Sequence, residues 1–248
     1  MGKFNGKVVL ITGGARGMGA THAKAFVNEG AKVAITDILV QEGEKLSAEL
    51  GEQVKFYKHD VTNSSEWETV VTDIEQTFGP INVLVNNAGI SLMKPILQMT
   101  EEEYRRVIDI NQVSVFLGMK SVLPSMQKTK ESSIINVSSL AGFRGNNHGS
   151  VAYSAAKFAI RGMTKAVALE MALEDIRVNS IHPGLIKTPM TVQKGKEEII
   201  DHLSKKIPMQ RAAEPEEVTK LVLFLASSDA SFITGQEYIL DGGQLASL

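Results

Sequence analysis

The stretch VVLITGGARGMGATHAKAFVNEGAKVAITD, residues 8–37, decides the architecture of this chain. Its first five residues, Val8-Val9-Leu10-Ile11-Thr12, are apolar and largely β-branched, the pattern of a strand buried on both faces. Gly13, Gly14, Gly17 and Gly19 follow, residues 15–29 read as a helix, and Gly30 is placed to stop it. A second apolar run, 32–37, ends on Asp37. Strand, glycine turn, helix and strand make the repeating unit of a parallel sheet. The glycines permit positive φ and close backbone approach, and N–H groups at a helix start attract a pyrophosphate. A tight strand-to-helix turn would use glycine too, and the spacing here is G-x-x-x-G-x-G rather than G-x-G-x-x-G. Asp37 stands where an acid can accept hydrogen bonds from an adenosine ribose, or simply cap the next turn. A 2′-phosphate, with roughly −1.5 to −2 charges, would be repelled there. NAD is therefore expected rather than NADP, with Arg16 offsetting part of the repulsion.

Working outward, the same alternation continues nearly from end to end. Further apolar runs fall at 54–59, 83–86, 134–138, 177–182 and 237–240, and helix-length segments at 41–50, 64–78, 100–126, 152–173 and 215–226. Thr100 followed by Glu103 is a capping box and marks a helix start. The expectation is an α/β fold: one doubly wound, Rossmann-type domain over 1–248, with a parallel sheet of about seven strands and helices on both faces. Residues 185–213 break the rhythm with Pro189 and Pro208 and read as an inserted substrate loop.

Composition narrows the function classes. The 248 residues carry 26 Lys+Arg against 28 Asp+Glu, a net charge of −2, so no broad basic field favours nucleic acid. Zero cysteine excludes disulfides, thiolate metal sites and a cysteine nucleophile. No apolar run approaches the ~20 residues of a membrane span, and 1–14 has no signal-peptide pattern, so a cytoplasmic protein is expected. The five histidines include no H-E-x-x-H, and Ser138-Ser139 lack a G-x-S-x-G elbow, which argues against a zinc site and a serine hydrolase. No metal is expected.

With Thr12 to Gly19, Asp60-Val61, Asn86-Asn87-Ala88-Gly89, Ser139, Tyr153/Lys157 and Pro183-Gly184 with Thr188 in hand, the chain resembles the short-chain dehydrogenase/reductase family over nearly its whole length. The resemblance implies a catalytic set of Asn111, Ser139, Tyr153 and Lys157. It also implies that Gly13, Arg16, Gly17, Met18, Gly19, Asp37, Asp60, Val61, Asn87, Ala88, Gly89, Pro183, Ile186 and Thr188, with Tyr153 and Lys157, line the cofactor. The stretch from Ser139 to Tyr153 is about one residue longer than the commonest family spacing, the extra residue falling within 144–150.

Hydride transfer between a nicotinamide and a carbinol carbon needs a proton moved at the oxygen. Tyr153 and Lys157, four apart on a helix, share one face. A Lys157 ammonium nearby favours the phenolate, which makes Tyr153 the candidate acid/base, and Ser139 would hold the substrate oxygen. In the family the asparagine matching Asn111 supports a water beside the lysine. The expected reaction is an NAD-dependent interconversion of a secondary alcohol and a ketone, possibly a hydroxysteroid or a cyclic or aryl alcohol. Leu92, Leu140, Phe143, His148 and the 185–213 loop are expected to form an apolar pocket, to which Met190 and Met209 are candidates. The alternatives are a 3-oxoacyl-(acyl-carrier-protein) reductase and a non-catalytic dinucleotide-responsive regulator. By analogy, the long helices and Ile239 to Gly243 imply a homotetramer.

Overall fold

The computed structural model describes residues 2–145, 149–191 and 197–247. Seven parallel strands form one sheet in the order β3-β2-β1-β4-β5-β6-β7: β1 Val8–Thr12, β2 Lys32–Asp37, β3 Val54–Lys58, β4 Val83–Asn86, β5 Ser132–Val137, β6 Ile176–Pro183 and β7 Glu237–Leu240. The strand runs are apolar without interruption because both faces are covered. Val9 and Ile11, Val33 and Ile35, Val83 and Val85 pack into one core layer with Ala23 and Phe26 of α1 (Gly17–Asn28), Leu46 of α2 (Val40–Leu50) and Val218 and Val222 of α8 (Pro215–Ala226). The alternate residues Val8, Leu10, Ala34 and Leu84 face the other layer. There they meet Trp67 and Ile74 of α3 (Ser64–Phe78), Met119 of α5 (Ser114–Met126) and Ile160 of α6 (Val151–Glu170). Each core side chain contributes roughly 1.5–3 kcal/mol by leaving water. The strand order reverses between β1 and β4, and in such sheets ligands bind in the crevice beyond the strand C-termini at that point.

Three expectations are corrected. The helix expected over 100–126 is not uniform: α4 (Glu101–Ile108) passes through a π turn, Asp109–Val113, into α5. The cause is Asn111, whose amide donates to the Val107 carbonyl and to the Ile90 carbonyl, both at 3.0 Å, so a side chain competes for the helix ladder. The Thr100–Glu103 capping box is present at its start. The helix expected over 152–173 ends at Glu170 and gives way to a 3-10 turn, Ala172–Glu174, with Asp175 left-handed at φ 57°. The 185–213 segment holds a helix, α7 (Glu197–Ser204), and its ends are tied. Lys187 donates to the Ala213 carbonyl and Ala213 to the Leu185 carbonyl, both at 2.9 Å.

Candidate active site

The glycine turn between β1 and α1 is built for an approaching ligand. Gly13 and Gly17 have φ of 63° and 59°, a Cβ at Gly13 would lie 2.9 Å from the Ala88 Cα, and one at Gly19 would collide with the Gly13 carbonyl. Helix α1 starts with no side-chain cap and no acid in its first turn, which leaves its N-terminal dipole available to an anion. Asn87 extends from β4 beneath this turn. Its amide donates to the carbonyls of Thr12 and Gly13, at 2.9 and 3.1 Å, while its buried Oδ1 has no protein partner. A buried acceptor without a donor is costly, so this oxygen is poised for a donor from a ligand.

A cleft of about 1020 Å³ runs from here along the strand ends. Gly13, Arg16, Gly17, Met18, Asp37, Asp60, Val61, Asn87, Ala88, Gly89 and Thr188 line it, as the motifs implied. Asp37 accepts hydrogen bonds from the N–H of Ala15 and Leu39, at 3.2 and 3.1 Å, so its carboxylate is fixed at the cleft wall. Asp60 is held by Thr62, whose N–H and hydroxyl keep its carboxyl below the usual range. Trp67 donates to the Val61 carbonyl at 2.9 Å and fixes the next residue.

Three implied residues are placed elsewhere. Gly19 lies under Gly13 rather than on the cleft, Pro183 ends β6 in a buried position, and the Ile186 side chain is 4% exposed within the core. Sequence reasoning missed His59, which lies at the cleft floor with Nδ1 bonded to the Thr36 hydroxyl at 3.2 Å and Nε2 unpartnered; burial lowers its pKa to about 4. It also missed Glu102 and Arg106 of α4 and Ile110 of the π turn that follows, which line the cleft. The spacing of these residues carries no motif, because tertiary packing alone brings α4 over the cleft.

Asn111, Ser139, Tyr153 and Lys157 are not among the residues that line the cleft; they gather behind Gly89, which is. Lys157 is 4% exposed, donates to the Val137 carbonyl at 2.8 Å and lies 5.5 Å from the centre of the Tyr153 ring. The Ser139 Oγ accepts from the Ala141 N–H at 3.2 Å, capping the turn Leu140–Gly142, and its hydroxyl favours the ionised form of the Tyr153 phenol. Gly89 makes room for the group: a Cβ there would lie 2.7 Å from Asn111 Oδ1 and 3.8 Å from Lys157 Nζ. Electrostatically, burial pushes the Tyr153 phenol up, countered in part by Ser139, and lowers Lys157 to about 8. The sequence reading expected Lys157 to draw the phenol down. In the protein alone burial prevails, and Tyr153 is a protonated donor at neutral pH.

The expected apolar pocket is only partly assembled. Leu140 is buried, and Phe143 packs edge-on against His182 with the Arg161 guanidinium over its ring; His148 lies outside the described residues. Met190 lines the cleft, whereas Met209 belongs to a separate cavity of about 560 Å³ with Leu185, Ile207 and Asp241. Among the described residues no helix is long and apolar enough to cross a membrane, and no group of three His, Asp or Glu side chains is arranged to hold a metal.

A family model described as enoyl-(acyl carrier protein) reductase matches residues 13–244. A 3-alpha-(or 20-beta)-hydroxysteroid dehydrogenase of Mycobacterium tuberculosis is 46% identical over 249 residues, which cover 100% of this chain and 92% of the relative. A cyclopentanol dehydrogenase of Comamonas testosteroni is 43% identical, with 100% of both chains covered. A crystal structure of a short-chain dehydrogenase/reductase (glucose/ribitol dehydrogenase) from Brucella melitensis matches with a TM-score of 0.92 and 33% identity, over 98% of this chain and 99% of that one. Relatives at 39% and 42% identity are an NADP-dependent (R)-specific alcohol dehydrogenase of Lentilactobacillus kefiri and a 3-oxoacyl-(acyl-carrier-protein) reductase of Thermotoga maritima.

Proposed function

The chain belongs to the short-chain dehydrogenase/reductase family, and from that premise we propose that it is an NAD-dependent oxidoreductase interconverting a secondary alcohol and a ketone, with Tyr153 as acid/base. The observation that carries this reading is buried Lys157 lying 5.5 Å from the Tyr153 ring and behind Gly89, a residue of the cleft that the glycine turn, Asp37 and Asp60 also line. The bound nicotinamide supplies or accepts the hydride. The chain's own residues do the rest. The glycine turn and the start of α1 would hold the pyrophosphate, Asp37 the ribose hydroxyls, Asp60 and Val61 the adenine side, and Asn87 a donor at its free Oδ1. Ser139 orients the substrate oxygen, and the Tyr153 phenol, protonated as burial dictates, delivers its proton to a ketone oxygen. In the reverse direction the phenol must be ionised. Lys157 favours that state, and a positive charge on the oxidised ring adds to it. Lys157, with Asn111 fixed by the Ile90 backbone, returns the proton toward solvent.

The carboxylate of Asp37 supports NAD over NADP, because a 2′-phosphate at the cleft wall would face it directly. Names borne by similar proteins support a hydroxysteroid or a cyclic alcohol as the substrate class. On this reading 1–248 is one catalytic domain working in the cytoplasm. The exposed Phe116 on α5, Phe158 on α6 and Ile239 on β7 are consistent with a homotetramer. Steady-state kinetics on cyclic ketones and keto-steroids with NADH and NADPH test the proposal: NADH-linked turnover is expected. The rival reading as an acyl-carrier-protein reductase takes over if acyl thioesters and NADPH are preferred.

A further inference from the structure

Beyond the reacting groups, the turn that carries Ser139 is gripped from its far side. The imidazole of His182, in β6, lies 3.2 Å by Nδ1 from the Ser139 carbonyl and 2.9 Å by Nε2 from the Ser180 hydroxyl. A carbonyl only accepts, so Nδ1 carries the proton and Nε2 accepts from Ser180. Phe143 meets the His182 ring edge-on at 4.6 Å, and the Arg161 guanidinium lies over the Phe143 ring at 3.9 Å. Arg161 uses every nitrogen: Nε and Nη2 pair with the two oxygens of Glu237 at 2.7 and 3.1 Å, and Nη1 donates to the Gly142 carbonyl at 2.8 Å. Both side chains are largely covered, 25% and 15% exposed, and Arg161 holds the Glu237 carboxyl below its usual range. A fork-to-fork pair of this kind fixes direction as well as distance.

The consequence is geometric. Arg161 lies one helical turn beyond Lys157 and two beyond Tyr153, on the same face of α6. Through Gly142 and Phe143 it clasps the turn Leu140–Gly142, which Ser139 caps. That turn already lies hard against α6: a Cβ at Gly142 would be 2.8 Å from the Lys157 carbonyl and 2.9 Å from Ser138 Oγ. Glu237, in the outermost strand of the sheet, anchors the clasp. We propose that Arg161, braced by Glu237, is a positioning residue that keeps the Ser139 hydroxyl in register with Tyr153. The inference rests on Ser139 and Tyr153 being the pair that handles the substrate oxygen, and it adds the device that sets their separation.

The test compares Arg161→Met, Arg161→Lys and Glu237→Gln with the wild type and with Tyr153→Phe, in kcat, KM, NADH affinity by fluorescence, and amide hydrogen exchange at residues 139–143. Arg161→Met is expected to lower kcat about 10- to 100-fold, the range for sub-ångström to 1 Å misplacement, with NADH affinity within about twofold of the wild type. Exchange at 139–143 should quicken. Arg161→Lys, which keeps one donor for Glu237, and Glu237→Gln, which keeps an acceptor, should each recover part of kcat. Wild-type kcat in Arg161→Met overturns the proposal. So does a loss of kcat in step with NADH affinity that Arg161→Lys does not relieve, since that is general loosening. If Tyr153→Phe turns over like the wild type, the acid/base reading falls on its own. Exchange then decides the positioning: quickened rates in Arg161→Met sustain it and unchanged rates refute it.

Discussion

At the residue scale the site depends on which of two opposing effects governs Tyr153. Burial favours the neutral phenol and Ser139 favours the phenolate, and burial is the larger of the two. Removing the hydroxyl leaves the cleft walls intact, so Tyr153→Phe should lose about 10²- to 10⁴-fold in kcat while NADH affinity, read by fluorescence titration, stays within about threefold. Asp37 makes a separate prediction. Its carboxylate sits at the wall where a 2′-phosphate would come, so Asp37→Ala should narrow the ratio of kcat/KM for NADH over NADPH by about tenfold or more, mostly through NADPH. An unchanged ratio would remove Asp37 from the cofactor assignment. Asp37 was legible in the sequence because it ends a strand, and Tyr153 with Lys157 because a four-residue spacing puts them on one helix face. His59 was not: only folding sets its ring beside Trp67, 4.4 Å between centres, and turns Nε2 away from any partner.

At the scale of elements, the decisive features are a close backbone approach and a departure from regular helix. Gly19 lets the first turn of α1 pass against the Gly13 carbonyl, and Gly19→Ala forces those backbones apart. The expected result is a cofactor affinity weakened at least about tenfold, with far-UV circular dichroism little altered, because only the turn moves. The π turn at Asp109–Val113 is the departure from regular helix. Periodicity alone reads straight through it, since the apolar spacing before and after is helical; what opens it is the Asn111 amide reaching the Val107 and Ile90 carbonyls. The capping box at Thr100, by contrast, is a local hydrogen-bond pattern and was read directly. Helix α7 hid among prolines and charges, its neighbours at 192–196 lying outside the described residues.

At the scale of the whole molecule, three buried neutral histidines link stability to pH. His22 donates from Nδ1 to Thr219, joining α1 to α8, and burial lowers its pKa to about 3; burial likewise lowers His59 and His182 to about 4. Each binds its proton less readily folded than unfolded. The stability they confer is therefore present above pH 6.5 and is lost as pH falls from 6.5 toward 4. Urea unfolding at pH 7 and pH 5 should differ by on the order of 1–2 kcal/mol per histidine. His22→Asn should shrink that difference; an equal pH dependence in the variant would discount His22. Light scattering tests assembly, with four times the chain mass of 26.9 kDa expected. The sequence by itself determined the strand-and-helix alternation, the glycine turn and the order of the site residues along the chain, because short apolar runs, glycine's access to positive φ and short motif spacings are local properties. Only the tertiary structure decided that α4 lines the cleft, that Phe143 packs against Arg161 and His182, and that burial holds the Tyr153 phenol above its usual range. Those outcomes depend on burial and on partners distant in sequence, which no local pattern records.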